Sequence, residues 1–261
     1  TTNLDGVPIA RPTSVSGLFY DLERVEVLKG PQGTLYGRNA TGGAINVITQ
    51  KPLFGEVSGY INAAYGNYDA LNFNAAVNLP VGDEVAIRVA GTLSQHDGYY
   101  SDGSGDERTR AVRGTFRAKL SDNITLTVGA DYSLSTGVGS GATVFSNRLD
   151  ERIGIRDPRS GPVFAGTLSF PTASFLSPLT EADFQHNSQW GAYANLDIDT
   201  PIGTVTIEPA YRKTHLNFLS SAASFYSRIN ETDVQKTLEA RLVSPKGQPL
   251  QYVLGAFYMQ E

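Results

Sequence analysis

Two stretches of the chain concentrate side chains capable of chemistry. Lys29 to Gly43 places glycines at 30, 33, 37, 42 and 43 around Tyr36 and Arg38. Glycines at that density belong to turns with positive φ and close backbone approaches, not to a helix. A phenol and a guanidinium held on such a loop can stack on rings or pair with carboxylates. The second stretch, 137–186, carries Phe145, Phe164, Phe170, Phe175 and Phe184 together with Arg148, Arg152, Arg156 and Arg159. A connection this long is functional or packs on itself. Rings plus guanidinium groups suit a ligand that has both aromatic rings and negative charge. A loop folding over its own small apolar core is the other reading, and the sequence leaves both open.

Other chemistry is excluded or discounted. Without cysteine there is no thiolate zinc site, disulfide or cysteine nucleophile. Gly137-Val138-Gly139-Ser140-Gly141 has the glycine spacing of a phosphate-binding turn, but no helical pattern follows it. Asp97, Asp102, Asp106 and Glu107 crowd one polar stretch without the spacing of a calcium loop, so a solvated loop is expected. His96, His186 and His215 lack a metal-ligand spacing and read as surface histidines at strand ends. No Gly-x-Ser-x-Gly elbow and no Ser/His/Asp set is present, so no catalytic residue, metal site or cofactor is expected. The net charge of -5 argues against a nucleic-acid partner.

The elements that must carry these loops have a period of two. In Glu84–His96, Val85, Ile87, Val89, Gly91 and Leu93 share one face, with Ala86, Arg88, Ala90, Thr92 and Ser94 on the other. In Asn123–Thr136, Ile124, Leu126, Val128, Ala130, Tyr132 and Leu134 oppose Thr125, Thr127, Gly129, Asp131 and Ser133. Alternation sustained this long predicts strands. Further strands are expected near 56–65, 68–79, 110–120, 187–200, 204–215, 232–244 and 250–261, about nine in all. Most reach the ~9–11 residues that a tilted strand needs to cross a bilayer. After a first tight turn at Gly66-Asn67, short links alternate with long ones, the long ones being 97–109, 137–186 and 216–231. Outer-membrane barrels alternate short periplasmic turns with long extracellular loops in this way. Arg88, Arg113, Arg117, Lys119, Asp131, Asp197, Asp199, Glu208, Arg212, Glu239 and Arg241 fall opposite the apolar faces, as a wet lumen requires. Residues 1–52 differ: they are irregular and Gly/Pro-punctuated, with short β-like runs at 24–28 and 44–49.

Residues 21–49, DLERVEVLKGPQGTLYGRNATGGAINVIT, resemble the plug domain of TonB-dependent outer-membrane receptors almost without a break. Asp5-Gly6-Val7-Pro8 is similar to the family's earlier plug strand-turn, and Asn78-Leu79-Pro80 and Leu254-Gly255-Ala256-Phe257-Tyr258 match its barrel more weakly. The resemblance implies an all-β dominated fold: a partial transmembrane antiparallel barrel with part of a small mixed plug domain. It divides the chain at 1–52, the C-terminal part of the plug, and 53–261, the first part of the barrel. It also implies that the TonB-coupling segment lies before Thr1 and that more than half the barrel follows.

The same resemblance makes Glu23, Arg24, Glu26, Gly30, Pro31, Gly33, Tyr36, Gly37, Arg38, Gly42 and Gly43 structural or gating residues of the plug. Tyr36 and Arg38, with Phe164, Phe175 and Arg156, are the candidate ligand contacts. For Arg38, Glu23, Arg24 and Glu26, locking of the plug comes before ligand contact, because a buried arginine pairs with a carboxylate. The implied function is active import of a scarce nutrient across the outer membrane of a Gram-negative bacterium, first of all an iron–siderophore complex. The implied partners are the TonB complex of the inner membrane, the extracellular ligand and outer-membrane lipid. Cobalamin, a saccharide or an aromatic compound are alternative cargoes. A passive porin or structural barrel is the rival class, and an outer-membrane enzyme is disfavoured for want of a nucleophile–base pair.

Overall fold

The structure, a computed structural model, describes residues 1–9, 17–30, 42–140, 152–153, 182–222 and 225–261. Its strands fall into two sheets. The first contains β1 (Thr2–Leu4), β2 (Val7–Pro8), β3 (Leu22–Lys29) and β4 (Gly43–Thr49) in the order β2-β1-β4-β3. β1 runs parallel to β4 and the other pairs are antiparallel, so this small sheet is mixed. Leu4, Ile9, Leu18 and Val47 form its apolar centre. The turn between β1 and β2 is Asp5-Gly6, both at positive φ. Asp5 then accepts hydrogen bonds from the Thr49 amide at 2.9 Å and its hydroxyl at 2.7 Å, which pins the turn to the end of β4.

The second sheet has nine strands in strict sequence order: β5 (Ser58–Gly66), β6 (Ala70–Val81), β7 (Val85–His96), β8 (Glu107–Ser121), β9 (Ile124–Gly137), β10 (Phe184–Thr200), β11 (Gly203–Ala222), β12 (Phe225–Val243) and β13 (Val253–Gln260). Every neighbouring pair is antiparallel. Consecutive pairing keeps the short links 82–84, 122–123, 201–202 and 244–252 at one end, and 67–69, 97–106, 138–183 and 223–224 at the other.

Alternation sorts the side chains as the sequence does. Ala86, Arg88, Ala90, Arg113, Thr115, Thr127, Asp131, Ser133, Glu208, Arg212 and Thr214 are buried on one face. The intervening Ile87, Val89, Val112, Phe116, Val128, Tyr132, Trp190, Ile207 and Leu238 are exposed on the other. A polar buried face under an apolar exposed one is the inverse of a soluble sheet and the pattern of a membrane barrel wall.

The buried face is knitted together by charge. Asp131 on β9, Gly191 on β10 and Arg212 on β11 stand in one cross-strand row. Arg212 reaches over β10 to make two 2.9 Å hydrogen bonds with the Asp131 carboxylate. Glycine at 191 permits this, because a Cβ there would lie 2.7 Å from the guanidinium carbon.

The strand expectations differ from the structure chiefly at 216–231, where the sequence predicts a long loop. There β11 and β12 continue as a ladder out to Ala222↔Phe225. Leu216 and Leu219 are buried, and Asn217 and Phe218 between them belong to the ladder and not to a loop. Polarity imitates a loop once a hairpin rises beyond the lipid, because no apolar face is then required.

Asn78, fully buried on β6, holds the passage from the small sheet to the large one. Its side-chain oxygen accepts from the Leu53 amide at 2.9 Å, and its amide nitrogen donates to the carbonyls of Leu53 at 2.9 Å and Glu56 at 2.6 Å. Asn78→Ala strands those backbone groups and is expected to destabilise the folded protein by about 1–3 kcal/mol. Thermal loss of heat-modifiable gel mobility, compared with wild type, measures this. An unchanged midpoint would mean that the Leu53–Glu56 clamp contributes nothing.

Candidate functional site: the plug–wall interface

The small sheet meets the buried face of the large one through a segment just before β3. Asp21, at positive φ, directs its carboxylate to Arg88 on β7. Arg88 Nε donates at 2.7 Å and Nη2 at 2.5 Å, a two-pronged pair whose side chains are 8% and 4% exposed. Two-pronged geometry and exclusion of water make such a pair stronger and more orientation-specific than a surface ion pair.

One strand over, Arg113 on β8 donates to the Tyr20 carbonyl at 3.0 Å and the Leu18 carbonyl at 3.1 Å. Its guanidinium also lies 4.5 Å from the Tyr20 ring centroid. The Tyr20 ring packs with Ala76, Ala90 and Ala111, small residues that leave it room against the wall. Burial holds the Tyr20 phenol well above its ordinary pKa, with Arg113 opposing the shift. Its hydroxyl has no hydrogen-bond partner among the described residues. Lower on β8, Arg117 reaches the Pro52 carbonyl at 3.4 Å, and Arg117 and Lys119 each lie 5.0 Å from the Phe54 ring.

Towards β9–β12 the two sheets separate around a polar cavity of about 320 Å³. Asp5, Gly6, Arg24, Glu26, Asn46 and Lys51 line it from one side, and Tyr193, Asn195, Glu208, Glu239 and Arg241 face them from the wall. Glu208 accepts from Asn195 at 2.9 Å, and its other oxygen lies 2.8 Å from where a Cβ on Gly6 would stand. Glycine at the tip of the β1–β2 turn is therefore required twice, by its φ of +95° and by this carboxylate. Gln235 on β12 supplies a tie on this side, donating to the Pro8 carbonyl at 2.7 Å.

The sequence-derived site residues divide into those placed here and those outside the described residues. Glu23, Arg24 and Glu26 lie on β3 and pair with one another: Arg24 bonds Glu26 at 2.7 Å and also contacts Glu23. The hydrogen bond from Arg24 draws the Glu26 carboxyl below its ordinary pKa and raises that of Arg24. Arg24 and Glu26 face the cavity, and the ion pair with the wall is made instead by Asp21. Gly30 closes β3 at a φ of +86°, and Gly42 and Gly43 open β4. At Gly43 a Cβ would lie 2.3 Å from the Leu28 carbonyl oxygen. Pro31, Gly33, Tyr36, Gly37, Arg38, Arg156, Phe164 and Phe175 lie outside the described residues.

Sequence reasoning missed Asp21, Tyr20, Asn78 and Gln235 as interface residues. A carboxylate on the threshold of the plug motif and an asparagine amid an apolar-alternating strand were the available signals. The glycine run after β9 also finds its role. The amides of Val138 and Gly139 donate to one Asp106 oxygen at 2.9 and 2.8 Å. The turn cradles a carboxylate of its own chain and anchors the base of the long segment.

Residues 1–44 match the family model described as TonB-dependent Receptor Plug Domain. The pesticin receptor of Yersinia pestis is 36% identical over 97 residues, 37% of this chain and 14% of that protein. The ferripyoverdine receptor of Pseudomonas aeruginosa is 31% identical over 119 residues, 46% of this chain and 14% of that protein. Among solved structures, the ferric yersiniabactin uptake receptor FyuA from Yersinia pestis superposes with a TM-score of 0.81 at 20% identity, covering 99% of this chain and 39% of that one. The pyoverdine outer membrane receptor FpvA of Pseudomonas aeruginosa gives 0.72 at 20% identity, again over 99% and 39%. The chain thus spans well under half the length of these receptors. Its fold is theirs, a plug sheet against a barrel wall, and in sequence it resembles TonB-dependent receptors.

Either half of the Asp21–Arg88 pair left alone is a buried uncompensated charge. Asp21→Leu or Arg88→Met alone is expected to cost about 3–5 kcal/mol, and the double substitution distinctly less than the sum. Urea titration of the four proteins, followed by protease sensitivity of the plug, gives the coupling. Strict additivity would contradict a direct pair.

Proposed function

We propose that this chain is the plug-and-wall part of a TonB-dependent outer-membrane receptor that imports a ferric siderophore into a Gram-negative cell. Residues 1–52 act as the plug part and 53–261 as the barrel part. The observation that carries the reading is a mixed sheet, matching the plug family model, tied by a buried ion pair to the polar face of an antiparallel wall whose other face is apolar. A pore lined by that polar face would pass water and small solutes; the plug obstructs it, so passage requires the plug to rearrange. The cargo assignment is supported by relatives whose names specify pyoverdine, yersiniabactin and enterobactin chelates.

In this reading Tyr36, Arg38, Phe164, Phe175 and Arg156 present rings and guanidinium groups to the anionic chelate from the plug apex and the long segment. Glu23, Arg24, Glu26 and the motif glycines Gly30, Gly33, Gly37, Gly42 and Gly43, with Pro31, shape the part of the plug that gives way. The protein is a transporter and carries out no bond chemistry. The inner-membrane TonB complex supplies the energy from the proton gradient.

The test is uptake of ⁵⁵Fe-labelled siderophores by cells whose sole receptor is the full-length protein. Uptake of one chelate is expected to stop when an uncoupler collapses the gradient, while binding at the cell surface persists. Uptake that continues in de-energised cells would make the protein a passive pore. Energised uptake of cobalamin or a saccharide, with no ferric chelate bound, would keep the mechanism and replace the cargo.

A further inference from the structure

The exposed face of the wall carries a feature that import does not use. Thr109 and Ala111 are buried, so Arg110 between them on β8 points to the opposite, outer face. By the same parity Lys213 stands outward between buried Arg212 and Thr214, and Lys236 between buried Gln235 and Thr237. All three are exposed, and none makes an ion pair among the described residues.

Their height on the wall is fixed by the register. One outward row runs Val112, Tyr132, Trp190, Lys213, Val234 across β8 to β12. Arg110 lies two residues up its strand, beside Leu134, and Lys236 one row down, beside Tyr211. Trp190 and Tyr211 pack with ring centroids 4.9 Å apart, and Trp190 and Tyr132 are each 44% exposed. Below these rings the outward positions are uncharged: Phe116, Val128 and Leu238, then Leu126, Leu196 and Ile207, then Ile124, Ile198 and Leu254. The cations and rings therefore sit at the upper edge of an apolar band, at the end that carries the long segment. Aromatic girdles occupy this level in membrane barrels, and long cationic side chains there extend to the headgroups.

We propose that Arg110, Lys213 and Lys236, over the Tyr132–Trp190–Tyr211 rings, form a docking surface for a phosphorylated glycolipid headgroup of the outer leaflet. Cations without protein carboxylates, on a face turned to lipid, are satisfied by lipid phosphate. Lys213 and Lys236 are diagonal neighbours on adjacent strands, roughly 7–8 Å apart and somewhat closer at Cβ. Arg110 stands three strands from Lys213 and two residues higher, about 14 Å across the strands and about 16 Å in all at the usual spacings. Two anchoring points that far apart suit a headgroup with two separated phosphates and a sugar body over the rings, better than a single phosphodiester. The inference rests on the barrel reading above, which sets which end faces outward.

The test uses the full-length receptor purified in detergent, with native mass spectrometry after exchange into lipid A, monophosphorylated lipid A, phosphatidylglycerol or phosphatidylethanolamine. Lipid A, with two phosphates, is expected to remain bound at least tenfold more than phosphatidylethanolamine, with the monophosphorylated form between. Arg110→Ala, Lys213→Ala and Lys236→Ala should each reduce retention on the order of 5-fold. Lys213→Arg with Lys236→Arg should retain wild-type binding, and millimolar inorganic phosphate should not compete. Equal retention of all four lipids, an unaffected triple alanine variant, or full competition by inorganic phosphate would each overturn the proposal. Heat-modifiable mobility and ⁵⁵Fe uptake of the same variants keep the two readings apart. A folded, transporting receptor without selective lipid defeats only the docking surface, whereas failure of the wild type to insert into outer membrane defeats the barrel reading.

Discussion

A charged wall inside a barrel has to be satisfied, and here it is satisfied by the plug. Arg88 and Arg113 project from neighbouring strands into space that the lipid-facing side cannot offer them, and each would be a costly group if left dry and unpaired. Asp21 neutralises the first, and the carbonyls of Leu18 and Tyr20 accept from the second. Towards Arg88 and Arg113 the plug is thus a counter-surface to the lumen, built from one carboxylate, two carbonyls and a ring. Where plug and wall do not touch, the wall settles its own charges: Arg212 crosses Gly191 to reach Asp131.

That arrangement makes the plug removable in principle. Among the described residues its own apolar centre is Leu4, Ile9, Leu18 and Val47, with Leu22 packed against them. Much of what holds it is therefore polar, and polar contacts can be exchanged for water at far lower cost than apolar burial can be undone. On the β7–β8 side the ties are charged and dry. On the β9–β12 side a cavity with both signs of charge separates the sheets, and the Gln235–Pro8 hydrogen bond supplies a further tie between them. An interface with this composition can hold firmly at rest and still admit water once strained.

Much of the wall was legible in the sequence, because period-two alternation is a local property and survives without knowledge of partners. The strands at 84–96 and 123–136 emerge within a residue or two of expectation. The upper half of β11 and β12 was hidden for a physical reason: beyond the lipid a strand has no apolar face to declare itself. Plug residues 24–28 and 44–49 were legible as strands, but the tie to the wall was not. Asp21 and Arg88 are 67 positions apart, and nothing local in either marks the pair. The charges of β3 draw attention to Glu23, Arg24 and Glu26, which pair among themselves while Arg24 and Glu26 face the cavity.

We propose that the plug leaves its seat on the wall only when transport is driven. Hydrogen–deuterium exchange on the full-length receptor in outer-membrane vesicles tests it, with ligand alone and with ligand plus an energised coupling complex. The amides of Asp5, Ile9 and Ile45, which close the small sheet in the resting structure, are expected to exchange faster only in the energised state. Amides of β7 and β8 should stay protected throughout. Equal protection of the plug amides in both states, while the ligand is being imported, would contradict the account.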